Sequence, residues 1–173
     1  NPDLAAVIDA DDISQATDFA GFPRRVLAGE DPFALFTWLY GGSWEGGETW
    51  TRGHFTHAGR RVNRTEGSFE TTSVETGVTG KHPDLIAGDD YVTIDKIKEK
   101  GNWIQTAKTH MDGMIPALQP WGLYLLAGTP YTDNDVISTA IRRDGIREVV
   151  GLPLPPEYAK HVRPNGRWRV FHL

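Results

Sequence analysis

The sequence predicts an α/β protein: a mostly parallel sheet with helices on both faces. Three observations carry that expectation. Short, nearly uniformly apolar runs recur at positions 4–8, 85–88 and 123–127, the composition of strands buried on both faces. Segments with a 3.6-residue apolar period lie between them, as crossover helices do. The 173 residues, 39% hydrophobic and 24% charged, are enough for one ordinary domain with its own core.

From the N-terminus, LAAVI (4–8) is apolar and partly β-branched, hence a strand. Asp12 and Gln15 make a capping box for a helix with Ile13, Ala16 and Ala20 on one face. Gly21-Phe22-Pro23 is expected to kink or break it. Asp31-Pro32 is a second start signal, followed by an apolar face of Phe33, Phe36, Leu39 and Tyr40 and a Gly41-Gly42 stop. A Gly-rich stretch with Trp44 and Trp50 leads to two short strands, at 54–57 and 68–74, around a basic turn of Arg60, Arg61 and Arg64. Residues 77–83 form a loop before a central strand at 85–88.

Beyond it, 94–100 is a short charged helix ended by Gly101. Asn102 opens another, with Trp103, Ala107, Met111, Met114 and Leu118 at helical spacing. LYLLA (123–127) reads as a second buried strand, Asp133 as the cap of a helix over 134–143, and 148–154 as a third strand. RWRVFHL (167–173) reads as a strand cut short, so the chain is expected to be a piece of a longer protein.

Composition narrows the function. With no cysteine there is no disulfide scaffold and no thiolate metal site. No apolar run approaches the roughly 20 residues that span a bilayer, so no membrane partner is expected. The formal charge of −5 leaves nucleic-acid contact to local basic patches.

The chemistry is densest at HPDLIAGDDYV (82–92), where an apolar strand runs into Asp89 and Asp90. In open α/β sheets, ligands sit beyond the carboxyl ends of the strands. Two touching carboxylates need a positive partner, and Mg²⁺ supplies one: the first carboxylate holds the metal or its waters, the second orients an attacking water. The other reading is that both aspartates simply cap the loop or helix beyond them. Thr129, at the tip of the strand 123–127, is either a turn residue or a hydroxyl that senses a γ-phosphate.

Together GVTGKHPDLIAGDDYVT (77–93), a Trp-containing helix, and IPALQPWGLYLLAGTPYTDND (115–135) resemble the ATPase domain of tailed-phage large terminase subunits, the motors that package DNA. NPDLAAVIDADD, PFALFTWLY with HFTHAGR, and RWRVFHL resemble the rest of that domain in order, so the likeness covers nearly the whole chain. It implies a P-loop NTPase core of RecA/ASCE type, incomplete at both ends, over 1–155, with 156–173 leading toward a nuclease domain. By resemblance, Asp89 is the Walker B magnesium ligand and Asp90 the catalytic carboxylate, where many related ATPases use Glu. Thr129 is the coupling residue. The implied cofactors are ATP and Mg²⁺. The implied partners are double-stranded DNA, other copies in a ring, the portal and the small terminase subunit, in the host cytoplasm during phage assembly.

One part of the pattern is missing. No G-x-x-x-x-G-K-[ST] occurs in the chain. Gly80-Lys81-His82 is a near miss: position 75 is Glu, His82 replaces the magnesium-binding hydroxyl, and the loop precedes a strand instead of coming after one. Hydrolysis by this chain alone is therefore expected to be weak or absent. Arg60, Arg61 or Arg64 is a candidate trans-acting arginine of a ring motor; the alternative is a solvated turn. Two other functions stay open: a non-catalytic remnant or assembly module, and a Mg²⁺-dependent phosphohydrolase drawing further ligands from Asp133 and Asp135.

Overall fold

The computed structural model describes residues 3–30, 39, 47, 49–77 and 80–172. The helix expected from Asp31-Pro32, and Trp44 beyond it, lie outside the described residues. The chain divides into two compact units, Asn1–Tyr91 with Thr109–Ala127, and Val92–Lys108 with Gly128–Leu173.

The first unit is the α/β sheet. Its strands are β1 (Ala6–Ala10), β2 (His54–Phe55), β3 (Phe69–Ser73), β4 (Leu85–Asp89) and β5 (Leu123–Ala127), in the order β2-β3-β1-β4-β5. All neighbours pair in parallel except the short β2, which is antiparallel to β3. β1 is the middle strand, and its five residues are almost wholly buried, as strands covered on both faces must be. Helix α1 (Ile13–Ala28) packs against β1 and β3. Of the helix Trp103–Ala117, numbered α3, the part from Thr109 on belongs to this unit, and its Met114 joins Val7 and Ile86 in a core edged by Ala117, Leu118 and Tyr124. Phe55 stacks on Phe69 at 4.9 Å and closes the β2 end.

Two expectations need correction here. α1 is not broken at Pro23. Asp12 accepts from the Ser14 amide at 2.7 Å to start it, and it runs on to Gly29, whose φ of 73° gives the left-handed cap that glycine adopts without strain. Proline removes the one backbone bond that would reach the Phe19 carbonyl. Phe19 is exposed, so that loss falls on the solvent side, while Ala16, Ala20 and Leu27 hold the other face in the core. β5 is not a buried strand either. It is the last strand in the order, and Leu123 and Leu125 are 55% and 48% exposed. Composition suits either a central or an edge position; strand order decides which.

The second unit begins with α2 (Ile94–Glu99), capped by the Thr93 hydroxyl. Trp103 is buried, with the Lys96 and Lys100 ammonium groups 5.2 and 4.9 Å from its ring centre. Helix α4 (Val136–Asp144) starts two residues later than the sequence suggests. Asp135, not Asp133, is its cap: buried, it accepts from Ser138 N at 2.8 Å and Thr132 N at 3.2 Å. The apolar stripe of Val136, Ala140 and Ile141 begins only there. β6 (Ile146–Gly151) and β7 (Trp168–His172) form a two-stranded parallel sheet, with the short α5 (Pro156–Ala159) in the connection. No helix among the described residues is long and apolar enough to cross a membrane.

Candidate functional site

β1 and β4 run parallel with Ala10 in register with Asp89, so the residues just past them leave the sheet at the same edge. Those residues are acidic on both strands: Asp11 and Asp12 after β1, Asp90 after β4. Asp12 is taken by the α1 cap. Asp89 and Asp90 are half-buried and Asp11 is buried. Burial, then the charge of Asp90, then that of Asp11, pushes the Asp89 carboxyl above the usual aspartate range. Sequence reasoning missed Asp11; its signal was the second acidic pair, at the end of the neighbouring apolar run.

Asp90 sits in the left-handed region at φ 41°, where a non-glycine residue is strained, though aspartate tolerates it better than most. Its amide donates to the Ala127 carbonyl at 3.1 Å, tying the turn to the end of β5. The next residue anchors the turn from below. The Tyr91 hydroxyl donates to Asp9 Oδ2, and the Tyr124 hydroxyl donates to Tyr91 at 2.8 Å. His110 Nε2, from α3, lies 2.7 Å from the same Asp9 oxygen. Asp9 is fully buried, and its Oδ1 has no partner among the described residues. Burial pushes both tyrosine hydroxyls well above their ordinary pKa, so at neutral pH they stay protonated donors. The Tyr91 ring lies against Gly88: a Cβ there would come within 2.6 Å of Tyr91 Cζ.

The carboxylates at this edge suit a hard cation by donor type. Among the described residues no three side chains of ligating type are grouped to hold a metal by themselves. A partial shell of one or two carboxylates is what Mg²⁺ uses when phosphate and water supply the rest.

The pH dependence of Asp89 has a definite sign. A carboxyl whose folded pKa is raised contributes stability that is fully present below its unfolded value and is lost as pH rises through the folded one. Asp89→Asn is therefore expected to gain melting temperature relative to the parent chain as pH rises above about 4, whatever the slope that the other carboxylates give both chains. Parallel pH profiles in thermal melts of the two chains would contradict this. Added Mg²⁺ should raise the parent's melting temperature at neutral pH more than the variant's.

The three arginines of the basic turn have separate positions. Arg64 Nη1 pairs with Asp84 at 2.6 Å and Nη2 donates to the His82 carbonyl at 2.5 Å, with Glu66 3.4 Å from Nε. Asp84 also accepts from Ala5 N, just before β1. Ala5 and Asp84 mark the starts of β1 and β4, so Arg64 is fastened at the sheet edge opposite Asp89. Five-residue strands put roughly 15 Å between those edges. Arg60 is partly buried and donates to the Glu66 and Gly67 carbonyls. Burial, then the charge of Arg64, lowers its pKa from the ordinary arginine value. Arg61 is exposed, and its guanidinium has no ion pair among the described residues. Lys81 pairs with the buried Glu70.

Thr129 is exposed and lies two residues past β5, in the second unit. Of the basic residues near the C-terminus, Arg163 donates to the Arg143 carbonyl at 3.0 Å and Arg169 pairs with Glu148 at 2.7 Å, both within that unit. No protein-family model matches this sequence, and no curated protein matches it.

Proposed function

We propose that this chain is the core of an ATP-driven DNA-packaging motor subunit of the large terminase type, built on a P-loop NTPase sheet. The observation that carries the reading is the placement of Asp89 and Asp90: the last residue of an inner parallel strand, then a strained turn residue, at the edge where open α/β sheets bind ligands. In this reading Asp89 holds Mg²⁺, directly or through water. The metal, when bound, neutralises charge on the phosphates. Asp90 accepts a hydrogen bond from the attacking water and takes its proton. The turn's tie to Ala127 and the Tyr91 anchor fix where that carboxylate points. Thr129 links the nucleotide state to motion, and Arg61 is the arginine of the basic turn best placed to reach a neighbouring copy in a ring.

The phosphate-binding loop that this chemistry needs is not among the 173 residues. β5 pairs only with β4 among the described residues, which leaves an edge on which a further strand can add. In the intact gene product, Asp90→Asn is expected to lower DNA-stimulated ATP hydrolysis by about 100-fold or more, with Mg-ATP binding retained. Unchanged hydrolysis would remove Asp90 from the mechanism. A gene product that binds no nucleotide at all would favour the remnant or assembly module.

Asp11 gives the phosphohydrolase reading one specific support, a third carboxylate whose charge Asp89 feels. Asp135 does not help it, because that side chain is the α4 cap. Loss of hydrolysis in Asp11→Asn, on phosphate esters and without any requirement for DNA, would favour that second reading.

A further inference from the structure

Between positions 142 and 169 the chain carries seven Lys and Arg residues and three acids, although its net charge is −5. The excess gathers where α4 turns into β6. Arg142 and Arg143 end α4, and Arg147 lies just inside β6. The segment before β7 comes alongside. The Arg163 amide donates to the Ile146 carbonyl at 2.8 Å, and the Arg167 amide to the Gly145 carbonyl at 3.1 Å. A Cβ at Gly145 would strike the Arg163 guanidinium, and one at Gly166 the Ile146–Arg147 backbone, so these two glycines let the segments close together. All of these residues belong to the second unit. The two acids in these segments are already engaged. Asp144 accepts from Arg143 Nε at 3.0 Å and Trp168 Nε1 at 3.3 Å. Burial works to raise its pKa, but these bonds, then the charges of Arg143 and Arg167, hold the carboxyl below the usual aspartate range. Glu148 pairs with Arg169 at 2.7 Å.

We infer that Arg142, Arg147 and Arg167 form a contact face for the phosphate backbone of duplex DNA. All three are exposed, and their guanidinium groups have no hydrogen bond or ion pair among the described residues. Arg147 is the extra residue of a bulge, between Ile146, opposite Trp168, and Glu148, opposite Arg169. It stands outside the ladder and in solvent, while Ile146 beside it is fully buried. A helix dipole accounts for Arg142 and Arg143 at the end of α4, but not for Arg147 or Arg167. Guanidinium forks match phosphate oxygens, and such contacts hold a duplex without reading its bases. The negative charge of the rest of the chain disfavours DNA elsewhere, so this patch sets where it lies. The choice of duplex DNA among polyanions rests on the motor reading, whose DNA track must be gripped at any sequence. The affinity for phosphate does not, since no nucleotide or hydrolysis enters it.

The test is fluorescence anisotropy of the 173-residue chain with a short labelled DNA duplex, without nucleotide, over about 50 to 200 mM salt. Arg142→Gln, Arg147→Gln and Arg167→Gln should each weaken binding and lower the log–log salt slope by about 0.9, the value of one phosphate contact on B-DNA. A duplex of scrambled sequence should bind equally. Arg52→Gln, which removes one exposed arginine from the first unit, should change neither affinity nor slope. Circular dichroism checks that the variants stay folded. Polyglutamate of matched charge should compete poorly; competition on a par with DNA would overturn the assignment to DNA. No binding by the parent chain, a slope that survives the triple arginine variant, or an equal loss in Arg52→Gln overturns the inference. The motor reading fails on a different measurement, hydrolysis in the intact gene product, so the two failures are told apart.

Discussion

Asp9→Ala is expected to lower the stability of the chain by about 3–5 kcal/mol, the range for breaking a buried pair and leaving its partners behind. Asp9 is fully buried, and one of its oxygens takes both the Tyr91 hydroxyl and His110 Nε2. Alanine would strand both donors in a site that water does not reach. Asp9→Asn separates charge from hydrogen bonding. It keeps one acceptor for Tyr91 and His110 and turns its amide toward the side where Oδ1 has no partner among the described residues. Its cost should be about 1–2 kcal/mol. Urea denaturation followed by circular dichroism reads both. An Asp9→Ala chain within about 1 kcal/mol of the parent would mean the network is incidental to the fold. If the network matters as described, its loss also frees the residue next to Asp90, so the candidate site and the core fail together.

How much of this was legible beforehand varies by residue. The strand ending at Asp89 was readable, because an apolar run stopping at two carboxylates is a local pattern. Asp9 was not. It stands just past a run read as 4–8, where an acid looks like the end of a strand, whereas β1 continues to Ala10. Its partners lie 82 and 101 positions away, and no local pattern links them. Arg64 looked like a solvated turn residue for the same reason: Asp84, which holds it, is twenty positions on. The sheet's parallel character followed from composition, but β5's edge position did not, since apolar content says nothing of strand order. Asp133 and Asp135 were both adequate caps by type. The start of the apolar stripe at Val136 chose between them.

Gly88→Ala should cost about 3–5 kcal/mol, although alanine in a strand is ordinarily better than glycine by about 0.5–1 kcal/mol. The sign reverses because of Tyr91. An added Cβ would meet the Tyr91 ring at 2.6 Å from Cζ and 2.9 Å from Cε1, distances that real Cβ contacts do not reach. The backbone of β4 is held by register on both sides, with Asp9 opposite Gly88 on β1 and Leu126 on β5, so the ring must yield. It then loses its bonds to Asp9 and Tyr124. A double-mutant cycle isolates this cause. Tyr91→Ala is costly alone, about 3–5 kcal/mol by the usual loss of a buried aromatic. In that background Gly88→Ala should add less than about 1 kcal/mol, because the atoms it would strike are gone. Additive costs would show that the glycine serves something other than the ring. Coupled costs would bear on function as well, because Asp90 sits between the two positions in chain order and takes its left-handed turn while Tyr91 is pinned. On the proposed motor reading, Gly88→Ala in the intact gene product, if it still folds, should lower DNA-stimulated hydrolysis much as Asp90→Asn is expected to, with the carboxylate itself untouched.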